Sequence, residues 1–343
     1  MKLDKTQVRE KYEQLKPLYS RLANNVNEAI VKFLVSEGIE FIEVDNRVKE
    51  FNSFWEKIVK NGYEKPFEQI HDLCALRIIN YYESDERLIE KLLTKEFNIF
   101  ESDDKKECLA LDQFGYRSKH YIAEIQSNWL AAPNYRGLKG LKFEIQSRTI
   151  LMHSWAAINH KLSYKKEKDI PPEFKRSLFR LSALIELADQ QFDILRNQQK
   201  EYMASFVKKS PEGELEFDIQ APLNVDSLKA LLSVICPDRH YADQEIADLI
   251  EEVREVGAEL SDIYMGYKQI HKYMPEIEEE TYTCMGDSFD PMKDGWSQEG
   301  FVRTILDITF DAYWEKRIIE LPKEVVYVTD KWREIAKKAQ PTN

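Results

Sequence analysis

The sequence lacks the features that mark secreted, disulfide-bonded or membrane-spanning proteins. Its four cysteines (Cys74, Cys108, Cys236 and Cys284) lie far apart, without CxxC spacing. Neither a disulfide framework nor a zinc site is therefore expected, and we predict reduced thiols. No run approaches the roughly 18 apolar residues that a spanning helix needs. The charged N-terminus has no apolar signal core. These absences predict a cytoplasmic protein without a membrane partner.

A basic excess is also missing. The chain has 49 basic and 61 acidic residues, and its formal net charge is -12. Proteins that bind duplex nucleic acid non-specifically usually carry a basic excess, because their affinity comes from neutralising phosphates. The overall charge argues against that role, but it is compatible with a local basic pocket. Glycine and proline are sparse, and no repeat or low-complexity segment is found, as is typical of a helix-rich folded protein.

Hydrophobic periodicity divides the chain into three parts. Amphipathic helical spacing over residues 5–35 precedes alternating strand-like and helix-like runs over residues 40–165, which predict an α+β domain. A long amphipathic helix follows Pro171-Pro172, and the turn-rich segment KKSPEGE ends it. The predicted parts are a domain over 1–170, a packing or oligomerisation helix over 171–208, and a helical accessory or regulatory domain over 220–343.

Within the first part, four runs have strand character. They are IEFIEVDNRV, ALRIINYY, KHYIAEIQ and GLKFEIQS. The segment SDERLIEKLLTKEF predicts a helix, with Ser84 as its N-cap.

A basic cluster follows the first predicted strand. Arg47 and Lys49 are two residues apart at the strand end and should point to the same side. Ser53 and Lys57 are four residues apart and should share one face of the next helix. Three cations and a hydroxyl beside a helix N-terminus suit phosphate binding. A solvated charged surface would show the same residues, so the cluster alone does not decide.

Asp72 precedes a predicted buried strand that carries Arg77. This pair could hold Mg²⁺ and neutralise phosphate, or it could form a structural ion pair. His71-Asp72 also spells the HD dipeptide of metal phosphohydrolases, whose site needs further histidine and aspartate ligands upstream. No histidine precedes His71, and we reject that interpretation.

A third cluster, Tyr116, Arg117, Ser118 and His120, follows Gly115. The glycine lets the backbone turn, the aromatic ring can stack on a base, and the cationic side chains can meet phosphates. An ordinary turn into a strand would look the same.

A fourth cluster lies on a predicted central strand. Glu144, Gln146 and Arg148 alternate along this strand and should face one way. Three polar side chains on one face of a buried strand need partners or a cleft, which favours a site. Asn159 lies on the helix that follows.

The order and spacing of the clusters decide between these interpretations. The series R-x-K-x₃-S-x₃-K, D-x₄-R-I, G-Y-R-S-x-H, E-I-Q-x-R-T and N-H-K-L-x-Y-K spans about residues 40–165. It resembles the alarmone synthetase domain of the RelA/SpoT family. The resemblance implies a nucleotidyltransferase-like mixed β-sheet flanked by helices. It also implies a GTP/GDP pyrophosphokinase, which transfers the β,γ-pyrophosphate of ATP to the 3′-hydroxyl of GDP or GTP and releases AMP. No second catalytic domain is visible, so hydrolase activity is not expected.

The resemblance implies a role for each matched residue. Asp72 and Glu144 would bind Mg²⁺, and Glu144 would help to deprotonate the attacking hydroxyl. The implied ATP-binding residues are Arg47, Lys49, Ser53, Lys57 and Arg77. The implied acceptor-binding residues are Tyr116, which would stack on the base, Arg117, Ser118, His120, Gln146, Arg148 and Asn159.

Asp112 leaves the identity of the acceptor open. Many guanosine-specific members of the family carry a lysine near this position, which meets the acceptor phosphates. A carboxylate there would be unfavourable by about 1 kcal/mol or more beside a phosphate tail. The acceptor could thus be GDP or GTP, an adenosine nucleotide, or the 3′-CCA end of tRNA, which toxic members modify. In the toxin case the C-terminal part would be inhibitory or sensing. The long helix makes a homo-oligomer conceivable.

Overall fold

The structure is a computed structural model that describes residues 3–104, 118–162, 171–211, 213–240, 243–286 and 295–338. The chain forms two compact units, Met1–Leu195 and Arg196–Asn343. The division between them falls inside the long helix that the sequence predicts after Pro171-Pro172. The domain limits derived from the sequence pattern stay a prediction.

The first unit contains a mixed five-stranded sheet. In chain order its elements are α1 (Lys5–Ser36), β1 (Phe41–Val48), α2 (Phe51–Asn61), α3 (Pro66–Gln69), β2 (Cys74–Asn80), α4 (Glu86–Glu96), β3 (Phe97–Asp104), β4 (Lys119–Ile125), β5 (Phe143–Thr149), α5 (Ile150–Leu162) and the first part of α6 (Pro172–Ser205). The strand order is β1-β2-β5-β4-β3. Strands β2 and β5 are parallel and the other neighbours are antiparallel. The predicted mixed sheet flanked by helices is confirmed.

The two faces of this sheet differ in chemistry. One face is apolar: Leu76, Tyr121 and Ile145 from three central strands are buried in a core that includes Leu22 of α1 and Phe54 of α2. Because side chains alternate along a strand, the intervening residues project from the opposite face. That second face carries most of the polar residues of interest.

Two local features of the first unit differ from the sequence analysis. The sequence pattern does not predict β3, an edge strand that pairs with β4 alone and carries the polar residues Asn98 and Glu101. Ser84 does not cap α4, because Asp85 occupies the N-cap position and no side chain bonds to the helix there. Instead the Ser84 hydroxyl donates to Asp193 Oδ1 of α6 at 2.6 Å. The backbone amide of Ser84 also donates to Asp193, to Oδ2 at 2.9 Å, so both donors of Ser84 are directed to α6.

The second unit is mostly helical, as predicted. After the end of α6 it contains the short strands β6 (Val207–Lys209) and β7 (Leu215–Phe217), then α7 (Val225–Ile235), α8 (Asp243–Glu255), α9 (Leu260–Ile270), α10 (Met274–Cys284), α11 (Gln298–Thr309), α12 (Asp311–Arg317) and α13 (Lys323–Lys338). The β6–β7 hairpin stands where the pattern indicates only a break. The second unit has its own hydrophobic core, in which Leu231, Leu260 and Ile305 are fully buried. In the parts of the chain that the structure describes, no helix is both long and apolar enough to cross a bilayer.

Candidate active site

The site begins at the junction between β1 and α2. The backbone amide of Lys49 donates to the carbonyl of Leu73 at 2.8 Å. The hydroxyl of Tyr12 on α1 donates to the carbonyl of Lys49, also at 2.8 Å. These two bonds fix the backbone of Lys49 beside the segment that leads into β2. Asp72 therefore enters the sheet next to the basic cluster.

Asp72 lies between two lysines. Its Oδ2 is 3.0 Å from Lys49 Nζ and 3.0 Å from Lys57 Nζ, and its side chain is 15% exposed. Burial acts to raise the pKa of Asp72, but the hydrogen bonds and positive charges of the two lysines outweigh burial and lower this pKa. The carboxyl group is therefore ionised at neutral pH. Its Oδ1 is buried and has no hydrogen-bond partner among the described residues.

Glu144 is the second acid of the site, and it lies on the polar face of the sheet. It lies on β5 opposite Ala75 of the parallel strand β2. Its Oε1 is 2.6 Å from His120 Nδ1, and its Oε2 accepts a hydrogen bond from Gln146 Nε2 at 3.0 Å. Burial acts to raise the pKa of Glu144, but His120 and Gln146 outweigh it and lower this pKa. Glu144 is thus also held as a carboxylate.

The two carboxylates are near enough for their charges to repel. The charge of Asp72 acts to raise the pKa of Glu144, against the effect of its hydrogen-bond donors. A divalent cation between them would relieve this repulsion, and the unpartnered Oδ1 of Asp72 could be one of its ligands. The described residues contain no group of three or more histidine, cysteine or acidic side chains that could hold a metal. Mg²⁺ is commonly bound by one or two carboxylates together with waters and substrate phosphates, so these two residues fit it.

Two arginines of the polar face lie further along the central strands. Arg77 on β2 is opposite Asp45 of β1, with 3.9 Å between Arg77 Nη1 and Asp45 Oδ2. Arg148 on β5 is 7% exposed. His153 of α5 is close to both: burial, then the charges of Arg148 and Arg77, lower the pKa of His153. Sequence reasoning missed His153. Its only signal is its place in the first turn of the helix that leaves β5.

The predicted residues fall into three groups. Direct contacts form two clusters. The first contains Lys49, Lys57 and Asp72. The second contains Ser118, His120, Glu144 and Gln146. The other predicted residues lie on or beside the same structural elements: Arg47, Ser53, Arg77, Arg148 and Asn159. Arg47 is exposed opposite Ala75 on β1, Ser53 is exposed on α2, and Asn159 is half-buried on α5. Tyr116 and Arg117, like Asp112, lie outside the described residues.

A cavity of about 540 Å³ opens at the end of β5. Ser118 and Arg148 line it, but neither Asp72 nor Glu144 does. Acidic side chains of α6, Asp189 and Asp193 among them, form another part of its wall. The hydroxyl of Thr149 donates to Asp189 at 2.8 Å, so α6 closes this end of the sheet. The cavity therefore adjoins the predicted acceptor residues and not the pair of carboxylates.

This arrangement suits a phosphoryl-type transfer. Such reactions depend on positioning and charge neutralisation more than on covalent catalysis, and cations beside two carboxylates supply both. A sequence profile of the region found in RelA / SpoT proteins matches residues 46–169.

Two GTP pyrophosphokinases and one solved structure are similar to part of this chain. The GTP pyrophosphokinase YjbM of Bacillus subtilis is 30% identical over 180 residues, which cover 51% of this chain and 81% of YjbM. The GTP pyrophosphokinase YwaC of the same organism is 31% identical over 149 residues, 42% of this chain and 69% of YwaC. A solved GTP pyrophosphokinase family protein from Streptococcus pneumoniae aligns with 28% identity and a TM-score of 0.47, over 57% of this chain and 98% of that one.

The chain belongs to the RelA/SpoT family, which confirms the resemblance drawn from the motifs. It is an enzyme of the pyrophosphokinase type. The matched profile ends at residue 169, so the helical second unit lies outside it.

Proposed function

We propose that the chain transfers the β,γ-pyrophosphate of ATP to the 3′-hydroxyl of GDP or GTP, forming (p)ppGpp and AMP. One observation carries the proposal. An ionised, largely buried Asp72 is held between Lys49 and Lys57. It lies near enough to a second ionised acid, Glu144, for the two charges to repel. Partly burying two lysines and two acids beside one end of the sheet is costly for stability. Such a cost is typical of a site that meets a charged ligand.

The basic cluster is proposed to bind the ATP phosphates. Lys49 and Lys57 carry the charge that now pairs with Asp72, and both ammonium groups can turn to phosphate oxygens when ATP enters. Arg47 and Ser53 are exposed on the same strand and helix. Arg77, further along β2, is proposed to assist from the polar face. Lysine ammonium groups suit this task, because they are mobile point charges.

Mg²⁺ is proposed to be held by Asp72 and Glu144. When bound, it would neutralise phosphate charge and orient the transferred group. Glu144 is also proposed to accept the proton of the attacking 3′-hydroxyl, which an ionised carboxylate can do.

The acceptor nucleotide is proposed to lie on the β5 side of the site. Gln146, Arg148 and Asn159 supply an amide, a guanidinium and a second amide near this strand. Tyr116 and Arg117 keep their predicted roles at the acceptor base and phosphates. The relatives are named GTP pyrophosphokinases, which supports a guanosine acceptor. We propose synthesis without hydrolysis.

A labelled-acceptor assay tests the proposal. The full chain is incubated with γ-³²P-ATP and Mg²⁺, and with GDP, GTP, an adenosine nucleotide or deacylated tRNA in separate reactions. Label in GDP or GTP, accompanied by release of AMP, is the expected result. Label in tRNA alone would replace this proposal with the toxin alternative. Label in the adenosine nucleotide alone would change the acceptor and keep the reaction. No label in any acceptor would refute a pyrophosphate transfer at this site.

A further inference from the structure

Three side chains form a continuous hydrogen-bonded chain on the polar face. His120 Nδ1 lies 2.6 Å from Glu144 Oε1, and His120 Nε2 lies 2.5 Å from the hydroxyl oxygen of Ser118. The side chains of His120 and Glu144 are 12% and 13% exposed, and Ser118 is 3% exposed. Both nitrogens of the imidazole are therefore occupied by protein partners.

The backbone sets up this chain. Ser118 and His120 are two residues apart at the start of β4, so they project to the same side. In the antiparallel register between β4 and β5, His120 is opposite Gln146, and Glu144 is its diagonal neighbour. A long side chain can reach a diagonal neighbour across two strands.

Hydrogen-bond direction follows from the chemistry of the partners. A carboxylate has acceptors only, so the bond to Glu144 requires the proton to be on His120 Nδ1. In the neutral ring with this tautomer, Nε2 carries a lone pair to which the Ser118 hydroxyl can donate. Glu144 therefore determines which nitrogen carries the proton, and the Ser118 hydroxyl, which can donate or accept, holds the ring in that orientation.

We propose that His120 is a positioning residue for Glu144, with Ser118 fixing the ring, and that His120 does not contact the acceptor nucleotide. This inference rests on the proposed function, in which Glu144 faces the attacking hydroxyl. Gln146 holds the other oxygen of the carboxylate at 3.0 Å. With one donor on each oxygen, the carboxylate plane is fixed in the orientation from which it meets substrate.

The expected signature is a loss of kcat without a loss of acceptor affinity. Moving a reacting group by about 1 Å can cost about 100-fold in rate. For His120→Ala we therefore expect kcat to fall by about 100-fold, with the KM for the acceptor changed less than about threefold. A group that bound acceptor phosphates would show a raised KM when removed. A KM increase of tenfold or more with a nearly unchanged kcat would overturn the inference.

Conservative variants add a geometric test. The side-chain amide of Asn places its donor near the position of Nδ1, whereas that of Gln places its donor near the position of Nε2. His120→Asn should therefore recover about tenfold of the kcat lost in His120→Ala, and His120→Gln should recover little. Equal rescue by Asn and Gln, or no rescue by Asn, would contradict a role through Nδ1.

A double-mutant cycle tests the part played by Ser118. Because Ser118 acts through the ring, Ser118→Ala should lower kcat by about five- to tenfold in the native chain. In the His120→Asn background it should have no further effect, because the Nε2 that it orients is gone. Additive losses would show that Ser118 meets substrate by itself and would refute its proposed place in the chain.

Controls separate positioning from loss of the fold or of the function. Calorimetric binding of a non-hydrolysable ATP analogue and of the acceptor should be the same for native chain and His120→Asn. His271→Asn and Ser36→Ala, exposed residues of matched type, should leave kcat unchanged. If the native chain labels no acceptor, the proposed function and this inference fall together. If the native chain is active but acceptor binding is weakened in His120→Asn, only the inference falls.

Discussion

Asp72 in the first unit and Glu252 in the second are both acids that are paired with cations, but their surroundings differ. Glu252 on α8 accepts two hydrogen bonds from Arg303, Nε to Oε2 at 3.0 Å and Nη2 to Oε1 at 2.6 Å. Tyr313 donates a third to Oε2 at 2.5 Å. Asp72 instead meets two lysines through one oxygen, while its other oxygen is buried without a hydrogen-bond partner among the described residues.

This difference separates a structural ion pair from a site prepared for a ligand. Arginine binds a carboxylate through a rigid planar fork, and the pair formed with Glu252 leaves little free bonding capacity. Lysine is a mobile point charge, and a carboxylate oxygen without a partner can still take one. Removing Glu252 should therefore harm stability, and removing Asp72 should harm activity. The predictions below test this contrast.

The largest expected effect is the loss of activity in Asp72→Asn. The amide cannot bind a divalent cation as an anion does, and the charge balance beside Lys49 and Lys57 is lost. We expect kcat to fall by about 1,000-fold, as for other losses of a strong electrostatic contribution. Transfer of label from γ-³²P-ATP measures it. Lys57 is one-third exposed and can turn to solvent, whereas Lys49 is 15% exposed and loses its counter-charge, so some stability should be lost together with the activity.

Glu68→Gln provides the matched control for this variant. Glu68 is an exposed acid whose only described ion pair joins it to Lys65 within α3 and its N-cap, at 3.5 Å. Its replacement should leave the rate of transfer unchanged. If Asp72→Asn retained full activity, the contrast between the two acids would be lost, together with the proposed metal ligand.

Glu252→Gln should show the opposite pattern. It leaves the Arg303 guanidinium, three-quarters buried, without its counter-charge. Breaking a buried pair on one side costs about 3–5 kcal/mol, and partial exposure reduces this to about 2–3 kcal/mol. Native-state hydrogen exchange of amides in α8 and α11 measures the loss for this unit alone. Glu251→Gln, a neighbouring exposed acid paired with Arg254, should cost less than about 0.5 kcal/mol.

The sequence allowed more of the site than of the second unit to be predicted. Alternation along β5 correctly placed Glu144 and Gln146 on one face, because period-2 spacing is a local property. The chain from Ser118 through His120 to Glu144 could not be predicted, because it depends on the register between β4 and β5. That register is set by packing of the apolar face and is not visible in either strand alone.

The failures have similar physical causes. Strand β3 lies at the sheet edge, so it needs only partial apolar character, and its polar residues obscured the pattern. Strands β6 and β7 have three residues each, too few to show a period. Ser84 had the residue type and position of an N-cap, but a carboxylate from α6, more than a hundred residues away, supplied a better partner. Short-range rules could not anticipate a partner from so distant a segment.

Asp307 on α11 offers a test of the contrast through pH. It is 5% exposed, and its Oδ1 lies 3.3 Å from Arg317 Nε without forming a hydrogen bond. Burial raises the pKa of Asp307 to about 7, and the charges of Arg317 and Arg333 only partly oppose it. Because this ion pair has poor geometry, burial outweighs the attraction of the arginines and the pKa of Asp307 is raised. At Asp72 the attraction of the lysines outweighs burial, and the pKa is lowered.

The sign of the pH dependence follows from linkage. Between the unfolded pKa of 3.8 and the folded pKa of about 7, the folded chain binds the proton at Asp307 and the unfolded chain does not. The contribution of Asp307 to stability is therefore lost as pH rises through this window, at up to about 1.4 kcal/mol per pH unit. The pKa values of Asp72 and Glu144 are lowered, so their contributions are lost as pH falls.

Asp307→Asn should remove the loss of stability that accompanies rising pH. Relative to the native chain, the variant should gain about 2–3 kcal/mol of stability in α11 between pH 5 and pH 8, as measured by hydrogen exchange. A gain that instead grew as pH fell would mean that Asp307 is a stabilised carboxylate like Asp72. Asp330→Asn, an exposed acid on α13, should show no such trend.

The smallest expected effect comes from Arg303→Lys, which keeps the positive charge and replaces the planar guanidinium by an ammonium group. In Arg303→Lys the ammonium can meet one oxygen of Glu252, but the second, parallel bond of the guanidinium is lost. Tyr313 still donates to Glu252, so the acid is not left unpaired, and the cost should be about 1 kcal/mol. Hydrogen exchange in α8 and α11 measures this cost, and Arg254→Lys, at an exposed pair, should cost almost nothing.

The reverse substitution, Lys57→Arg, should harm activity more than stability, because a guanidinium fork would bind the free oxygen of Asp72. If Arg303→Lys cost nothing and Lys57→Arg left the rate unchanged, charge alone would account for both clusters, and the distinction between fork and point charge would have no consequence here.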